Sequence, residues 1–350
     1  MNVTRIGLDL AKNVYQVHGV DRPGKVVVKR QLKRKDVEAY FKALPPCVIG
    51  MEACSGAHYW GRKFAAMGHT VKLMAPQFVK PYVKGNKNDA RDAEAICEAV
   101  GRPNMRFVPL KTAAQQDMLL LHRARSGTIK ARTAQANQIR GLLAEYGIVV
   151  PVGIGKLRKR LPEILEDGEN GLNGMERAAF AGLWEELRHL DERVAAYDRQ
   201  ITELAREDPR CKRLMTARGA GEMTATALVA AVGDGTQFAN GREMAAWLGL
   251  VPGQHSSGGK ERLLGISKRG DVYLCTLLIH GARSVIRSVK DKTDRLSVWG
   301  NEVVARRGKN VAAVALANKN ARMLWAMLTR GEDYCPRGNA LAPELAAQAV

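Results

Sequence analysis

Four acidic residues in the first third of the chain have the types and positions to support metal chemistry. Two of them, Asp89 and Asp92, lie three residues apart, where a basic, glycine-containing loop turns into an alanine-rich helix. On a helix this spacing puts both carboxylates on one face, where they repel each other unless a cation or a nearby base compensates. The spacing also fits a second interpretation, in which Asp89 caps the helix and Asp92 completes a capping box.

The other two acids, Asp9 and Glu52, are predicted to lie on strands. Asp9 belongs to the alternating segment 5–10, and Glu52 ends the buried run that begins at 47. A lone carboxylate in an apolar segment is costly, so each of them alone could be a hydrogen-bonded acid at a strand end. If all four acids converge, they form an oxygen-rich site for Mg²⁺ or Mn²⁺ that can stabilise the attacking and leaving oxygens of a phosphodiester.

The elements that must position these acids indicate a mixed α/β domain. A three-stranded meander is followed by alternating helices and strands and then by the helix near Asp89, which predicts a mixed sheet with helices on its faces. The expected strands are 5–10, 14–20, 25–29, 47–51 and 69–73, and the expected helices between them are 35–44 and 58–67.

The composition favours a polyanionic partner. The chain of 350 residues carries 55 Lys and Arg against 35 Asp and Glu, which gives a net charge of +20. Nucleic acid is the leading candidate, because neutralising phosphates releases counterions; an anionic membrane surface is the other possibility for a basic protein. Aromatic residues make up only 5% of the chain, which argues against binding that relies on base-stacking platforms.

Other features of the sequence favour a cytoplasmic protein. No apolar run reaches the length of a membrane span, and the N-terminal segment lacks the apolar core of a signal peptide. The six cysteines are scattered and include no Cys-x-x-Cys, so neither a zinc site nor a disulfide framework is indicated.

Three short segments carry a resemblance to a known family. They are Ile-Gly-Leu-Asp-Leu-Ala-Lys at 6–12, Met-Glu-Ala at 51–53 and Lys-Asn-Asp-Ala-Arg-Asp-Ala at 87–93. They resemble the DEDD-type insertion-sequence transposases, which are related to the Piv DNA invertase and whose first domain resembles the RuvC Holliday-junction resolvase. The resemblance covers nearly the whole chain. It implies a RuvC/RNase H-like domain at 1–110 in which a metal ion, Mg²⁺ or Mn²⁺, is held by four residues: Asp9, Glu52, Asp89 and Asp92.

The middle of the chain, 111–208, is expected to form long helices and a coiled coil. Glu145 is the only acid between Arg123 and Arg160, and we expect this one-sided charge to face phosphates. A heptad seam follows, which fits either an amphipathic helix within its own domain or, as we favour, a helical hairpin or dimer contact. The seam consists of Phe180, Leu183, Leu187, Leu190, Val194, Tyr197, Ile201 and Leu204.

An α-helical transposase domain is expected at 209–335, before a flexible tail at 336–350. Its segment 214–228 has a helix, a Gly-x-Gly and a second helix, which is the phosphate-binding helix-hairpin-helix pattern, although a plain turn between helices looks the same. The family carries its catalytic serine shortly after a Leu-x-Pro and directly before a glycine. Ser257 fits that position, although a Ser-Ser-Gly-Gly stretch also fits a flexible linker. His255 is the nearest candidate base.

The residues and the resemblance together predict an RNA-guided transposase or site-specific recombinase of an insertion sequence. The resemblance implies that Ser257 attacks a DNA phosphodiester and forms a 5′-phosphoserine intermediate. It also implies a structured noncoding guide RNA that pairs with target and donor DNA, and a homodimer that assembles into a tetramer at the nucleoid, with acids and serine drawn from different protomers.

Two alternatives remain at this stage. One is a metal-only junction resolvase in which water is the nucleophile and Ser257 belongs to an ordinary loop. The other is a non-enzymatic nucleic-acid-binding protein in which the acids are structural.

Overall fold

The computed structural model describes residues 2–86, 88–290 and 292–335. These residues form two compact units, of which the first ends at Ala113 and the second begins at Ala114. The finer division at 110 and 208 stays a prediction, and the expected tail at 336–350 lies outside the described residues.

The first unit is built on a six-stranded mixed sheet. Its strands are β1 Arg5–Leu10, β2 Val14–Val20, β3 Val26–Lys33, β4 Val48–Glu52, β5 Thr70–Met74 and β6 Phe107–Val108. They lie in the order β3-β2-β1-β4-β5-β6. The first three strands form an antiparallel meander, β4 and β5 continue parallel to β1, and β6 returns antiparallel. The mixed α/β sheet predicted from the sequence is therefore confirmed.

Helices cover this sheet and bury two apolar clusters. They are α1 Val37–Lys42, α2 Ala57–Ala66, α3 Pro76–Val79 and α4 Asp89–Val100, with short 3-10 turns at Arg34–Asp36 and Lys80–Tyr82. Ile6 and Leu8 of β1 are fully buried in one cluster with Phe41 of α1 and Phe64 of α2. The second cluster lies under α4 and includes Ile96. Strand residues alternate between faces, so one strand can contribute to both layers.

The second unit is almost entirely helical. Its helices are α5 Ala113–Glu145, α6 Ile154–Glu166, α7 Gly174–Glu207, α8 Pro209–Met215, α9 Glu222–Val232, α10 Gly241–Trp247, α11 Val272–Arg287, α12 Arg295–Arg307 and α13 Lys309–Arg330. A two-stranded hairpin, β7 Pro252–Gln254 and β8 Leu263–Ile266, lies between α10 and α11. The main core of this unit gathers side chains from α8 to α13, with Leu316 and Leu324 of α13 fully buried. Across the described ranges, no helix is both long enough and apolar enough to cross a bilayer.

Ion pairs with α7 account for part of the basic stretch at 123–160. Arg125 pairs with Asp198, while Arg132 and Arg158 both pair with Asp191, Arg132 at 3.1 Å. The expectation that this charge faces phosphates is therefore wrong for these three arginines, because each is paired with an aspartate of α7.

The heptad seam is covered by the chain itself. Phe180 and Leu187 of α7 pack with residues of α5 and α6 in one apolar cluster. Ile201, further along the seam, is also fully buried, and α7 packs there against α8 and α9. This arrangement fits the interpretation of an amphipathic helix packed within its own domain. The coiled coil is not confirmed.

Candidate active site

Two glycines bring helix α4 directly onto the sheet of the first unit. A Cβ atom on Gly7 would lie 2.1 Å from the backbone oxygen of Ala93, and one on Gly50 would lie 2.8 Å from Cβ of Val100. Larger residues would hold the helix away from the strands. Since side chains alternate along a strand, Asp9 and Glu52, two residues beyond these glycines, lie on the same face as α4.

One cavity of about 670 Å³ is lined by all four predicted acids. Asp9 and Glu52 reach this cavity from the ends of β1 and β4. These strands are parallel, and Leu8 lies beside Met51, so the two acids occupy the next pair of neighbouring positions. Asp89 and Asp92 reach the cavity from the first turn of α4. The fold thus gathers in one place four side chains that are as much as 83 positions apart in the sequence.

The charges in this cavity are coupled to one another. The pKa of Asp9 is raised to about 6, first by burial and then by the negative charges of Asp89, Asp92 and Glu52, against a backbone hydrogen bond from Leu10 that lowers it. Each of the other three carboxylates is therefore near enough to disfavour the ionised form of Asp9. A bound cation would remove this cost.

The first turn of α4 excludes the capping interpretation of the acid pair. The N-cap residue is Asn88, whose side-chain oxygen accepts a hydrogen bond of 2.9 Å from the backbone N–H of Ala90. Asp89 is the first residue of the helix and Asp92 the fourth, so the alternative in which they form a capping box is wrong. The negative charges still suit the positive end of the helix dipole.

The donor set fits a hard divalent cation, because carboxylate oxygens are the ligands that Mg²⁺ and Mn²⁺ prefer. Among the described residues, no three His, Cys, Asp or Glu side chains are grouped as a preformed metal site. Like charges turn away from one another when nothing neutralises them. A bound cation would attract the four carboxylates that line the shared cavity towards one another.

Among the cavity residues that the sequence did not indicate, two have polar side chains, Gln77 and Lys80. Gln77 lies on α3, and Lys80 begins the 3-10 turn that follows it. The positions of these two residues in the sequence do not relate them to the acids. They line the cavity only because the folded chain places their segment beside it. Lys80 adds one positive charge to a cavity with four carboxylates, so it can contact a phosphate group that enters.

Ser257 lies at the tip of the β7–β8 hairpin, where the sequence indicated a glycine-rich loop or linker. An isolated bridge pairs Ser257 with Lys260, and the two residues between them, Gly258 and Gly259, have φ angles of 57° and 76°. Two consecutive positive φ angles are typical of the tight type I′ turn, which favours glycine at both positions. The stretch is therefore a defined turn that exposes the serine beside it.

The hydrogen bonds of this hairpin distinguish Ser257 from its neighbour. The hydroxyl of Ser256 accepts hydrogen bonds from the backbone N–H of Arg262 at 3.2 Å and from Nε2 of Gln254 at 3.0 Å. In the described part of the chain, no hydrogen bond engages the hydroxyl of Ser257, and none joins it to the side chain of His255. Ser256 therefore stabilises the hairpin, while Ser257 presents its hydroxyl to solvent.

The turn between α8 and α9 approaches α11 very closely. Gly219 has a φ angle of 90°, and a Cβ atom on Gly281 of α11 would lie 1.9 Å from the backbone oxygen of Gly219. A cavity of about 380 Å³ beside this contact is lined by Arg218, Gly221 and Thr224 among others. The guanidinium of Arg218 is paired with Asp294 at 2.8 Å, and Thr224 is buried. The N-terminus of α9 is therefore the part of this surface that is suited to a phosphate group.

Comparisons with known proteins define the class to which this fold and these acids belong. Residues 6–148 match the family model of a DEDD transposase domain, and residues 211–297 match the model described as "Transposase IS116/IS110/IS902 family". The first match contains all four acids, and the second contains the turn at Gly219 and the hairpin with Ser257. The sheet and the helical region are consistent with a RuvC-like DEDD transposase.

Whole-length relatives agree with these matches. A Pseudomonas aeruginosa protein named "Probable family 20 transposase" is 53% identical over 96% of this chain and 100% of its own length. The transposase for insertion sequence element IS1111A of Coxiella burnetii is 47% identical over 94% of this chain and 90% of its own. The transposase for insertion sequence element IS1328 of Yersinia enterocolitica is 40% identical over 95% of this chain and 99% of its own length. The chain belongs to the IS116/IS110/IS902 family of insertion-sequence transposases, and it is therefore an enzyme of DNA cleavage and transfer.

Proposed function

We propose that this transposase cuts and rejoins DNA at its insertion sequence by using Ser257 as the nucleophile and the four-acid cavity as a Mg²⁺ or Mn²⁺ site. The observation that carries the proposal is the gathering of four carboxylates in one cavity that also contains Lys80. Asp9, Glu52, Asp89 and Asp92 would hold the cation. When bound, the cation neutralises negative charge on the phosphate and makes the phosphorus easier to attack.

Ser257 supplies the bond-forming step in this proposal. Its Oγ attacks the phosphorus, a bond from phosphorus to the serine oxygen forms, and the bond to the 3′ oxygen breaks. The serine proton passes to a base, for which His255 is the nearest candidate in the sequence, and the departing 3′ oxygen takes up a proton. The number of phosphodiester bonds is unchanged, so attack by a 3′-hydroxyl on the phosphoserine rejoins the DNA without an external energy source.

The covalent intermediate gives the proposal its test. A nicked substrate that carries the element's end is incubated with the protein, and labelled DNA that migrates with denatured protein is measured. Wild type should form this adduct and Ser257→Ala should lose it while it still binds DNA. Ser256→Ala is the matched control: it removes two hydrogen bonds that stabilise the hairpin but should keep the adduct. Cleavage by wild type without an adduct would favour the alternative in which water is the nucleophile.

A turn between helices in the second unit is a candidate contact for the DNA backbone. We propose that the turn at Gly219 acts as a helix-hairpin-helix that holds the DNA backbone through the N-terminal amides of α9, with Thr224 lining the same cavity. Thr224→Ala should weaken binding equally for all DNA sequences, as expected of a backbone contact. A sequence-dependent loss in Thr224→Ala would argue against this role.

A structured RNA of the element is the partner we propose for the basic residues of α5 and α6 that remain exposed. Arg123, Lys130, Lys156 and Lys159 are exposed, and none takes part in the ion pairs with α7. The purified protein should bind its element's noncoding transcript with a steep salt dependence, and Lys130→Ala should lower the log–log slope by roughly one. Equal affinity for unrelated structured RNAs under competition would show that the charge is nonspecific.

The acids and the serine lie in separate units of the chain, so one active site can draw them from one protomer or from two. We propose a homodimer that assembles further into a tetramer and shares these residues between protomers. Mixing Ser257→Ala with Asp92→Asn should then restore adduct formation that neither variant has alone. Failure of the mixture, with both variants folded and dimeric, would assign both residues to one protomer.

A further inference from the structure

A second cavity in the first unit adjoins the four-acid cavity. It measures about 280 Å³ and lies between the segment 77–82 and the loop 104–106. Gln77 lines both cavities, so the two are neighbours. A strand whose phosphate contacts Lys80 in the acid cavity therefore has a neighbouring recess within reach of its next nucleotide.

The side chains around this second cavity are of the types that bind a planar, polar ring. Phe78 leaves 38% of its surface exposed, although it is a large apolar residue on a short helix. The ring of Tyr82 is fixed on one side by the guanidinium of Arg102, 5.7 Å from the ring centroid. Aromatic faces stack on nucleobases, and this interaction tolerates any base.

Polar groups at the edges of the cavity complete this chemistry. Gln77 and Asn104 each offer an amide, which has both donors and an acceptor for the edge of a base. Arg106 also lines the cavity and is exposed, so its positive charge can contact the adjoining backbone phosphate. A purely apolar partner would leave these amides and this charge without hydrogen bonds, so the lining favours a nucleotide.

We infer that this cavity binds one unpaired nucleobase of the DNA strand whose phosphate lies in the four-acid cavity. This inference rests on the proposed function and deepens it. A base that leaves a duplex loses its pairing and stacking, and a pocket with aromatic side chains compensates for the lost stacking. The low aromatic content of the chain argues against an extended stacking platform but is compatible with one site built from Phe78 and Tyr82.

The test compares binding of a short single-stranded thymidine oligonucleotide with an abasic oligonucleotide of the same length, on the full chain. The two carry equal charge, so a difference in affinity reports the base alone. Wild type should prefer the thymidine oligonucleotide by about tenfold, Phe78→Ala should lose that preference, and Phe78→Trp should keep it. Tyr59→Ala is the matched control, because Tyr59 is an aromatic residue of the same unit with 43% exposure and does not line the cavity.

The outcomes separate this inference from the proposed function. A preference that persists in Phe78→Ala, or is absent in wild type, overturns the pocket. A matched uridine RNA that binds more tightly, with the same dependence on Phe78, overturns the assignment to DNA. Asp89→Asn should keep the base preference but lose Mg²⁺-dependent cleavage; if it still cleaves, the proposed metal site fails, whatever Phe78 does.

Discussion

Replacing Asp9 by asparagine should stabilise the cation-free protein while it abolishes the reaction. Asp9→Asn keeps the size of the side chain and removes the charge that the other three acids repel. The pKa of Asp9 is raised from 3.8 to about 6. At about 1.4 kcal/mol per pKa unit this would correspond to about 3 kcal/mol, and because Asp9 is only partly buried, solvent screening reduces the expected gain to about 1 kcal/mol.

The sign follows from protonation. A raised pKa means that the folded state binds the Asp9 proton more tightly than the unfolded state does. The contribution of protonated Asp9 to the free energy of unfolding is present at low pH and is lost as the pH rises from 3.8 through about 6. Without a cation, Asp9→Asn should therefore be more stable than wild type at pH 7.5 and should match it near pH 4.

Hydrogen–deuterium exchange of backbone amides measures this change in stability in the strands that carry the acids. In EDTA at pH 7.5, amides of β1 and β4 should exchange about fivefold more slowly in Asp9→Asn than in wild type, which corresponds to about 1 kcal/mol. Added Mg²⁺ should slow exchange in wild type only. Asp36→Asn, an exposed acid of the same unit, is the control and should change nothing. Equal or faster exchange in Asp9→Asn would refute the convergence of the four acids.

Two further predictions concern the buried residues Gly7 and His122. Gly7→Ala should destabilise the first unit by about 1–3 kcal/mol in a urea titration, because the new methyl group meets the backbone of α4. Gly127→Ala in α5, where the added methyl group has open space around it, should be neutral or slightly stabilising. Equal effects of the two substitutions would contradict the packing of α4 on Gly7. His122 is buried and bonded to Tyr273 and Thr226, each at 2.9 Å, and its pKa is lowered to about 4, first by burial and then by the charge of Arg125. Below pH 6.5 the unfolded state therefore binds a proton that the folded state does not. The free energy of unfolding should fall by about 3 kcal/mol between pH 6.5 and pH 4, and His122→Gln should reduce this dependence on pH. An unchanged pH dependence in His122→Gln would contradict this role of His122.

Most of the sheet could be predicted because its signals are local. The alternation at 5–10 and 14–20 coincides with β1 and β2, because in β1 Ile6 and Leu8 face the apolar cluster on one side of the sheet, while Gly7 and Asp9 face α4 on the other. β3 extends to Lys33, beyond the predicted end at 29, because pairing with β2 supplies hydrogen bonds that the sequence of β3 alone does not indicate. Helix α12 was not predicted from the sequence.

Features that depend on contacts between distant segments could not be predicted. The role of Gly7 requires knowing that α4 crosses it, and the pairing of Arg132 with Asp191 joins positions 59 apart. In the sequence, Arg132 has the same appearance as an arginine that contacts phosphate. The four acids were predicted as a set from their residue types and expected positions together with a family resemblance, and the cavity explains physically how the fold can bring them together.

The measurement that most directly tests the central claim is the Mg²⁺ dependence of DNA cleavage by wild type and Asp92→Asn. The substrate is a supercoiled plasmid that carries the insertion sequence with its flanking DNA, and circular dichroism confirms that both proteins are folded. Cleavage by wild type should require Mg²⁺ or Mn²⁺, and Asp92→Asn should lose more than about a hundredfold in rate at the same concentration of cation. Cleavage by Asp92→Asn at the wild-type rate, or by wild type in EDTA, would contradict the four-acid metal site.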